Sequence, residues 1–399
     1  MASGQLTLKY ALVIMAIVII VIVAAVVGMY ATQRAPQTVT VTYTVPGTGA
    51  KTVTQYVTTT VSAPQKVYTL KLLHYYLPTD PGYKTVQTFA SIVEKASGGR
   101  LKIELYTTDE LGISITEMLD ATIRGVVDLS GFYPGYLAAQ DPIFALAGGG
   151  PGPISDIFEI VWQIKYVEDL INNTIAKWGA VYAGPLSACP AEPLLLRKEI
   201  TSLDDLKGMI LRSTGLGAEF YSKLGAQVAM LPGGELYTAI QLGTIDALEY
   251  LDLEGLYRMG FQDVAKYLIL PPKGYNLHAS AGIDMFLIAN PKVWRELPED
   301  LKEIIRSSLY AALIEGGINV FKLNSEAKEK WITAGAKIIE LPQKDLAKIV
   351  KVAVEIYAEY AKKSPEAYEY VTRLVKAWRD MGYEDWASAL EEALKKSKP

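Results

Sequence analysis

Apolar and polar positions follow one regime up to about residue 65 and another beyond it. Residues 11–29, ALVIMAIVIIVIVAAVVGM, are apolar or small without interruption. A run of that length matches the hydrocarbon core of a bilayer and outruns the apolar region of a typical signal peptide. Lys9 precedes it and Arg34 follows it, so flanking charge gives little orientation. No cysteine follows to carry a lipid, and no small-x-small site closes the run. The pattern predicts an uncleaved single-pass anchor over 11–30 behind a short segment 1–10, with the remainder outside the cytoplasm. A cleaved signal peptide is the rival, and cleavage near Gly4 lacks the charged residue such sites carry. Residues 37–63 alternate Thr and Val around Pro46-Gly47, which suits a hairpin. An isolated hairpin is marginal, so the preferred reading of 31–65 is an extended stalk.

From about residue 66 the period switches repeatedly between two and 3.6. Strands are expected at 68–76, 101–106, 126–130, 209–213, 227–231 and 247–251, with helices at 82–97 and 115–124. This alternation predicts an α/β architecture with mostly parallel sheets. Beyond Pro291 the pattern turns to long helices, interrupted by one strand at 337–341 that returns to an earlier sheet. The tail from Pro365 onward is helical and amphipathic. Each of its apolar residues is expected to pack on its own domain, whereas the tail as a whole is expected to embrace a second copy in a homodimer.

Composition narrows the chemistry. At 399 residues the chain exceeds a single core. A net charge of -4 and the absence of a Lys/Arg cluster in the body argue against a nucleic-acid partner. One cysteine, Cys189, allows neither a disulfide nor a thiolate zinc site, and His74 and His278 are the only histidines. His74, at a strand end, and His278, after a Pro/Gly-rich loop, read as structural or rim residues. Gly148 to Pro153, GGGPGP, lacks the lysine of a phosphate loop and reads as a backbone bend. No nucleophile elbow or dinucleotide fingerprint is present, so the chain is not expected to be an enzyme.

Arg212 stands out in LKGMILRST. It closes an apolar strand and precedes a helix, and ligands of open α/β sheets gather at the carboxyl ends of strands. Its planar fork can grip a carboxylate through two parallel hydrogen bonds. Glu249 ends the next strand, in TIDALEY, among apolar neighbours. A buried carboxylate needs donors or a cation. Arg212 is one such cation, and a hard ion such as Na⁺ or Ca²⁺ is another.

The stretch from Leu206 to Leu251, LKGMILRSTGLGAEFYSKLGAQVAMLPGGELYTAIQLGTIDALEYL, resembles the solute-binding subunits of tripartite ATP-independent periplasmic (TRAP) transporters. The likeness extends upstream to SGGRL at Ser97 and ATIRGVVD at Ala121, and downstream to NPKVW at Asn290, covering about 68–362. LPGGELY at Leu231, PGY at Pro134 and the GGGPGP run are similar to the branch that binds 2-oxo acids and lactate. The resemblance implies a bilobal periplasmic-binding-protein-like fold. Lobe one is expected over 66–188 plus 278–317, lobe two over 189–277 plus 318–363, and a helical tail over 364–399. Hinge strands near 186–193 and 271–279 and a helix over about 303–334 would serve both lobes. It implies Arg212 as the carboxylate clamp, with Tyr133, Tyr136, Tyr76 and Tyr250 around the substrate. Glu249 and the Tyr250 carbonyl would hold a Na⁺ or Ca²⁺ ion bridging to the substrate. The branch usually has a Gly-rich segment with a metal-binding glutamine before its "rkEI" block; here the residues read SACPAEPLLL, and Glu192 takes that place only with a one-residue shift. The implied partners are a small carboxylate and the membrane-embedded TRAP permease subunits. The alternatives are a C4-dicarboxylate receptor of the same kind and the binding protein of an ATP-driven transporter.

Overall fold

The structure is a computed structural model that describes residues 66–78, 80–189, 192–270, 272–277 and 282–396, together with two strands nearer the N-terminus. Those two, β1 (Val39–Thr44) and β2 (Thr52–Val57), pair antiparallel from Val39↔Val57 to Thr44↔Thr52. The Thr/Val alternation therefore forms the hairpin and not an extended stalk at these positions. The apolar run 11–29 and His278 lie outside the described residues, and among those described no helix is long and apolar enough to cross a membrane.

Two mixed sheets organise the body. The first runs β4-β3-β5-β12-β6, built from β3 (Tyr68–His74), β4 (Leu101–Thr107), β5 (Leu129–Phe132), β6 (Val181–Cys189) and β12 (Gly282–Ala289). The second runs β13-β11-β7-β10-β8-β9, built from β7 (Leu194–Leu196), β8 (Ile210–Arg212), β9 (Gln227–Ala229), β10 (Ala247–Leu248), β11 (Tyr267–Ile269) and β13 (Lys337–Ile338). Parallel pairing holds within β4-β3-β5 and within β10-β8-β9. The expectation of mostly parallel sheets fails at two strands. β12 runs antiparallel to both β5 and β6, and β7 runs antiparallel to both β10 and β11. The reason is the chain path: it leaves the first sheet after β6 and re-enters after β11, and each crossing delivers a strand against the local direction.

The flanking helices are α1 (Pro81–Ala96), α2 (Ile157–Lys177), α3 (Gly215–Lys223), α4 (Leu253–Arg258), α5 (Glu299–Thr333), α6 (Gln343–Ala361), α7 (Pro365–Asp380) and α8 (Glu384–Lys395). α5 is 35 residues long and joins two cores. Its first half buries Leu301, Ile305, Leu309 and Ala312 with Leu72, Phe89 and Leu186. Its last turns bury Ala327 and Trp331 with Leu253 and Leu256, and Trp331 Nε1 donates to the Leu253 carbonyl at 2.9 Å. Between these stretches, a Cβ on Gly316 would lie 2.3 Å from Thr85 Oγ1, and one on Gly317 would lie 2.5 Å from Ile157 Cγ1. Only a glycine pair lets this helix approach α1 and the start of α2 so closely.

The tail packs on its own chain. Tyr370, Leu374, Trp378, Trp386 and Leu390 are all buried in one cluster with Phe144, Phe220 and Tyr357. The Trp378 ring stands edge-on to Trp386 at 5.8 Å and to Tyr357 at 5.5 Å. Its indole N–H donates to Gln163 at 2.7 Å, and that of Trp386 donates to the Gly274 carbonyl at 3.1 Å. The apolar stripe that suggested a dimer is thus covered within one chain.

Candidate ligand cleft

β8 carries Arg212 to the carboxyl end of the second sheet, opposite Leu248 of β10 and Ala229 of β9. The side chain is 4% exposed. Its Nη1 donates to the Glu249 carbonyl at 2.8 Å and its Nε to the Leu231 carbonyl at 3.3 Å. Both acceptors are neutral, so they orient the positive charge without cancelling it. The guanidinium lies over the Tyr250 ring, 4.9 Å from its centroid. Tyr250 is seated in turn against the start of the helix Gly233–Leu242: a Cβ on Gly233 would stand 2.0 Å from the Tyr250 hydroxyl.

Glu249 is 1% exposed. Its carboxylate accepts from the Ser213 hydroxyl on one oxygen and from the Tyr221 hydroxyl at 3.0 Å on the other. The sequence offered Arg212 as the partner of this carboxylate; Arg212 instead takes the Glu249 backbone carbonyl, and two hydroxyls hold the acid. Burial, then the Glu249 charge, pushes the Tyr221 phenol well above its ordinary range.

The opposing wall comes from the first sheet and is aromatic. Tyr75 and Tyr76 follow β3, and Tyr133 and Tyr136 follow β5. Their rings form a chain: Tyr76–Tyr75 at 5.0 Å, Tyr75–Tyr136 at 6.0 Å and Tyr136–Tyr133 at 5.2 Å. The Tyr133 hydroxyl donates to the Gly148 carbonyl at 2.9 Å, which gives the GGGPGP bend a packing role. The Tyr76 hydroxyl contacts Ser187 Oγ at 2.8 Å and donates to Asp284 Oδ2, while the Tyr75 hydroxyl donates to the Asp284 carbonyl. Burial raises the Tyr136 phenol, and the Arg212 charge pulls the other way. Burial also pushes Asp80 and Asp284 up to about 6.

Glu192, 4% exposed, accepts from Cys189 Sγ at 3.3 Å. Its charge raises the Tyr133 and Tyr221 phenols, as that of Glu249 does. The Cys189 thiol is held protonated by burial and then by Glu192, which removes a soft ligand. Among the described residues no three His, Cys, Asp or Glu side chains gather as a metal cage. Glu249 and Glu192 are both buried carboxylates, and their donors are oxygens. Oxygen donors of this kind suit a hard cation such as Na⁺ or Ca²⁺.

The structure joins Arg212, Glu249 and Tyr250 in one contact group and Tyr76, Tyr75, Tyr136 and Tyr133 in another, with Glu192 against Cys189. It adds Asp80, Asp284, Ser187, Ser213 and Tyr221, which the sequence did not single out. Asp80 reads as a turn residue before Pro81-Gly82, and Tyr221 as an ordinary apolar-face position of a helix. Asp284 sits in a β-strand whose partner is decided far away in sequence. His74 is fully buried, edge-on to Tyr83 at 5.4 Å, and lowered to about 4 by burial; it takes no part in the ring of cleft residues.

Residues 195–364 match the family described as DctP, bacterial extracellular solute-binding protein, family 7. A monocarboxylate 2-oxoacid-binding periplasmic protein of a Nostoc species is 27% identical over 323 residues, covering 76% of this chain and 84% of the relative. A TRAP periplasmic solute-binding protein from Colwellia psychrerythraea, solved with calcium and pyruvate, superposes with a TM-score of 0.71 at 22% identity, over 84% of this chain and 100% of that one. Its counterpart from Pseudoalteromonas atlantica, solved with sodium and pyruvate, gives 0.70 at 23% identity over the same shares. The two-sheet body has the bilobal fold of these proteins. Over residues 195–364 the chain is thus similar to the DctP family of extracellular solute-binding proteins.

Proposed function

We propose that this receptor captures a small monocarboxylate, a 2-oxo acid or lactate-like ligand, and presents it to the membrane-embedded subunits of a TRAP transporter. The observation that carries the reading is Arg212: a buried guanidinium at the end of a strand, oriented by two neutral carbonyls and lying over the Tyr250 ring. A carboxylate is the group that completes such a fork. The ligands named for the Nostoc relative and held by the two structural neighbours are of this class. Glu249, Glu192 and the Tyr250 carbonyl are the donors for a bound Na⁺ or Ca²⁺, which would supply positive charge beside the ligand's oxygens.

The lobes in this reading are 66–188 plus 278–317 and 189–277 plus 318–363, with 364–399 as a tail and the crossings after β6 and β11 as hinges. Ligand closes the cleft only by binding the closed form more tightly than the open one. The apolar run 11–29 supplies a single-pass anchor, with 31–65 as the spacer that holds the receptor near its permease. A homodimer would have to use a face other than the covered stripe of the tail.

Thermal shift of the full chain with pyruvate, lactate and succinate, each with and without Na⁺ or Ca²⁺, tests the assignment. The two monocarboxylates should stabilise the protein, and the cation should add to the effect. Equal or greater stabilisation by succinate would favour the C4-dicarboxylate reading instead. Arg212→Ala should abolish the ligand shift while leaving the unliganded melting temperature near that of the parent.

A further inference from the structure

The two hydroxyls on the Glu249 carboxylate have no part in the reading above, yet they belong to the segment that carries the clamp. Ser213 directly follows Arg212, and Tyr221 lies in α3, the helix that begins at Gly215. Glu249 is hydrogen-bonded to this segment through backbone and side chain alike. Its N–H donates to the Arg212 carbonyl at 3.1 Å, and its carbonyl accepts from Arg212 Nη1 at 2.8 Å. Its Oε1 accepts from the Ser213 hydroxyl, and its Oε2 accepts from the Tyr221 hydroxyl at 3.0 Å. All three residues are buried: Tyr221 is 0% exposed, and Ser213 and Glu249 are each 1% exposed. The Tyr221 ring is held in turn, edge-on to Phe220 at 5.3 Å.

The carbonyl that orients Arg212 lies past the end of the sheet ladder. β10 is two residues long, and its register with β8 ends at Leu248↔Arg212. Beyond the Glu249 N–H, strand pairing no longer sets the direction of the Glu249 carbonyl; a carboxylate gripped at both oxygens does. Hydrogen bonds to a charged acceptor are the strong kind, and within a buried network they reinforce one another. A guanidinium already aimed gives up less freedom when the ligand arrives, which raises affinity. Resting on the carboxylate reading above, we infer that Ser213 and Tyr221 are positioning residues: through Glu249 they hold the Arg212 fork in the orientation that receives the ligand's carboxylate. They act on the ligand at one remove, and their action does not depend on a cation beside Glu249.

Calorimetric titration of the full chain with pyruvate and lactate tests this through a double-mutant cycle. Tyr221→Phe removes one hydroxyl and keeps the ring; Ser213→Ala removes the other and takes its place should the first variant fail to fold. Each change is made in the parent and in Arg212→Lys, which has no planar fork to orient. In the parent, either change should weaken ligand binding about fivefold or more; in Arg212→Lys the same change should cost less than about twofold. Equal losses in both backgrounds mark a general loss of packing and overturn the inference, as does the absence of any loss in the parent. The titrations are run with Na⁺, with Ca²⁺ and with neither. A loss seen in every buffer supports the inference. One confined to the buffers with cation means that the hydroxyls serve Glu249 as a cation ligand, and overturns it. Should Arg212→Lys bind too weakly to titrate, this comparison of buffers decides. A parent that binds neither acid in any buffer, or an Arg212→Ala protein that binds them unchanged, refutes the carboxylate reading itself.

Discussion

Arg212 and Asp80 show how a single buried charge is handled in two ways. Arg212 is oriented by carbonyls and stacked on Tyr250, and its fork geometry carries the recognition. Arg212→Lys keeps the charge but loses the planar pair of donors, so ligand affinity should fall by roughly tenfold or more with little change in melting temperature. A lysine variant of parental affinity by calorimetry would show that charge alone suffices. Asp80 is the costly partner. Its acid is raised by burial from 3.8 to about 6, so the folded state binds the proton more tightly than the unfolded chain. The protein then loses stability as pH rises from near 4 through about 6, by up to about 3 kcal/mol for a shift of this size. Asp80→Asn removes that loss. It should raise the melting temperature of the unliganded protein at pH 7.5 by several degrees and leave it nearly unchanged at pH 4. His74 works in the opposite sense: lowered to about 4, it favours the folded state as pH rises towards 6.5. Differences between Asp80→Asn and the parent, in place of the overall pH curve, isolate the aspartate. A constant gap across the pH range would contradict the assignment. Arg212 and Glu249 were legible in the sequence because each is a lone charge closing an apolar strand. Asp80, Asp284 and Tyr221 were not, since what defines them is a partner elsewhere: Tyr76 and Asp284 are 208 residues apart.

At the scale of elements, periodicity located most strands and helices but not the direction in which strands are laid down. The expected strands at 68–76, 101–106 and 209–213 correspond to β3, β4 and β8, and the long helix at 303–334 to α5. The expected strand at 126–130 falls instead on β5, Leu129–Phe132, because Gly125 and its neighbours turn the chain after the preceding helix. The antiparallel insertion of β7 and β12 could not be read locally, because it follows from the chain crossing between sheets. The link from β9 into the helix Gly233–Leu242 is the element on which the site depends most closely. Leu231 supplies a carbonyl to Arg212, and Gly233 leaves room for the Tyr250 hydroxyl. Gly233→Ala should push the Tyr250 ring off the guanidinium, since the new methyl has no place beside that hydroxyl. Ligand affinity is expected to drop several-fold while far-ultraviolet circular dichroism stays parental. Unchanged affinity would mean that the ring is not part of the binding geometry.

On the scale of the whole molecule, the tail is tied to the path by which the chain returns to the first sheet. The Trp386 indole is 4% exposed, packs on Trp378, and gives its N–H to the Gly274 carbonyl, shortly before β12 begins. Two contributions can be separated there. Trp386→Ala removes the ring from the core and should cost about 3–5 kcal/mol, the usual range for deleting a large buried aromatic. Trp386→Phe keeps most of the apolar contact but leaves the Gly274 carbonyl without its donor, which should cost about 1–3 kcal/mol. Both changes should lower the melting temperature in that order. Their effects on ligand affinity distinguish a clasp from a hinge. If the tail only fastens the return segment in place, Trp386→Phe leaves affinity for the carboxylate within about threefold. If closure requires that segment to move, freeing it alters the balance between open and closed forms, and affinity changes with it. The buried, fully paired indole favours the clasp: a contact that had to break in each binding cycle would place a carbonyl and an aromatic ring in water every time the cleft opened.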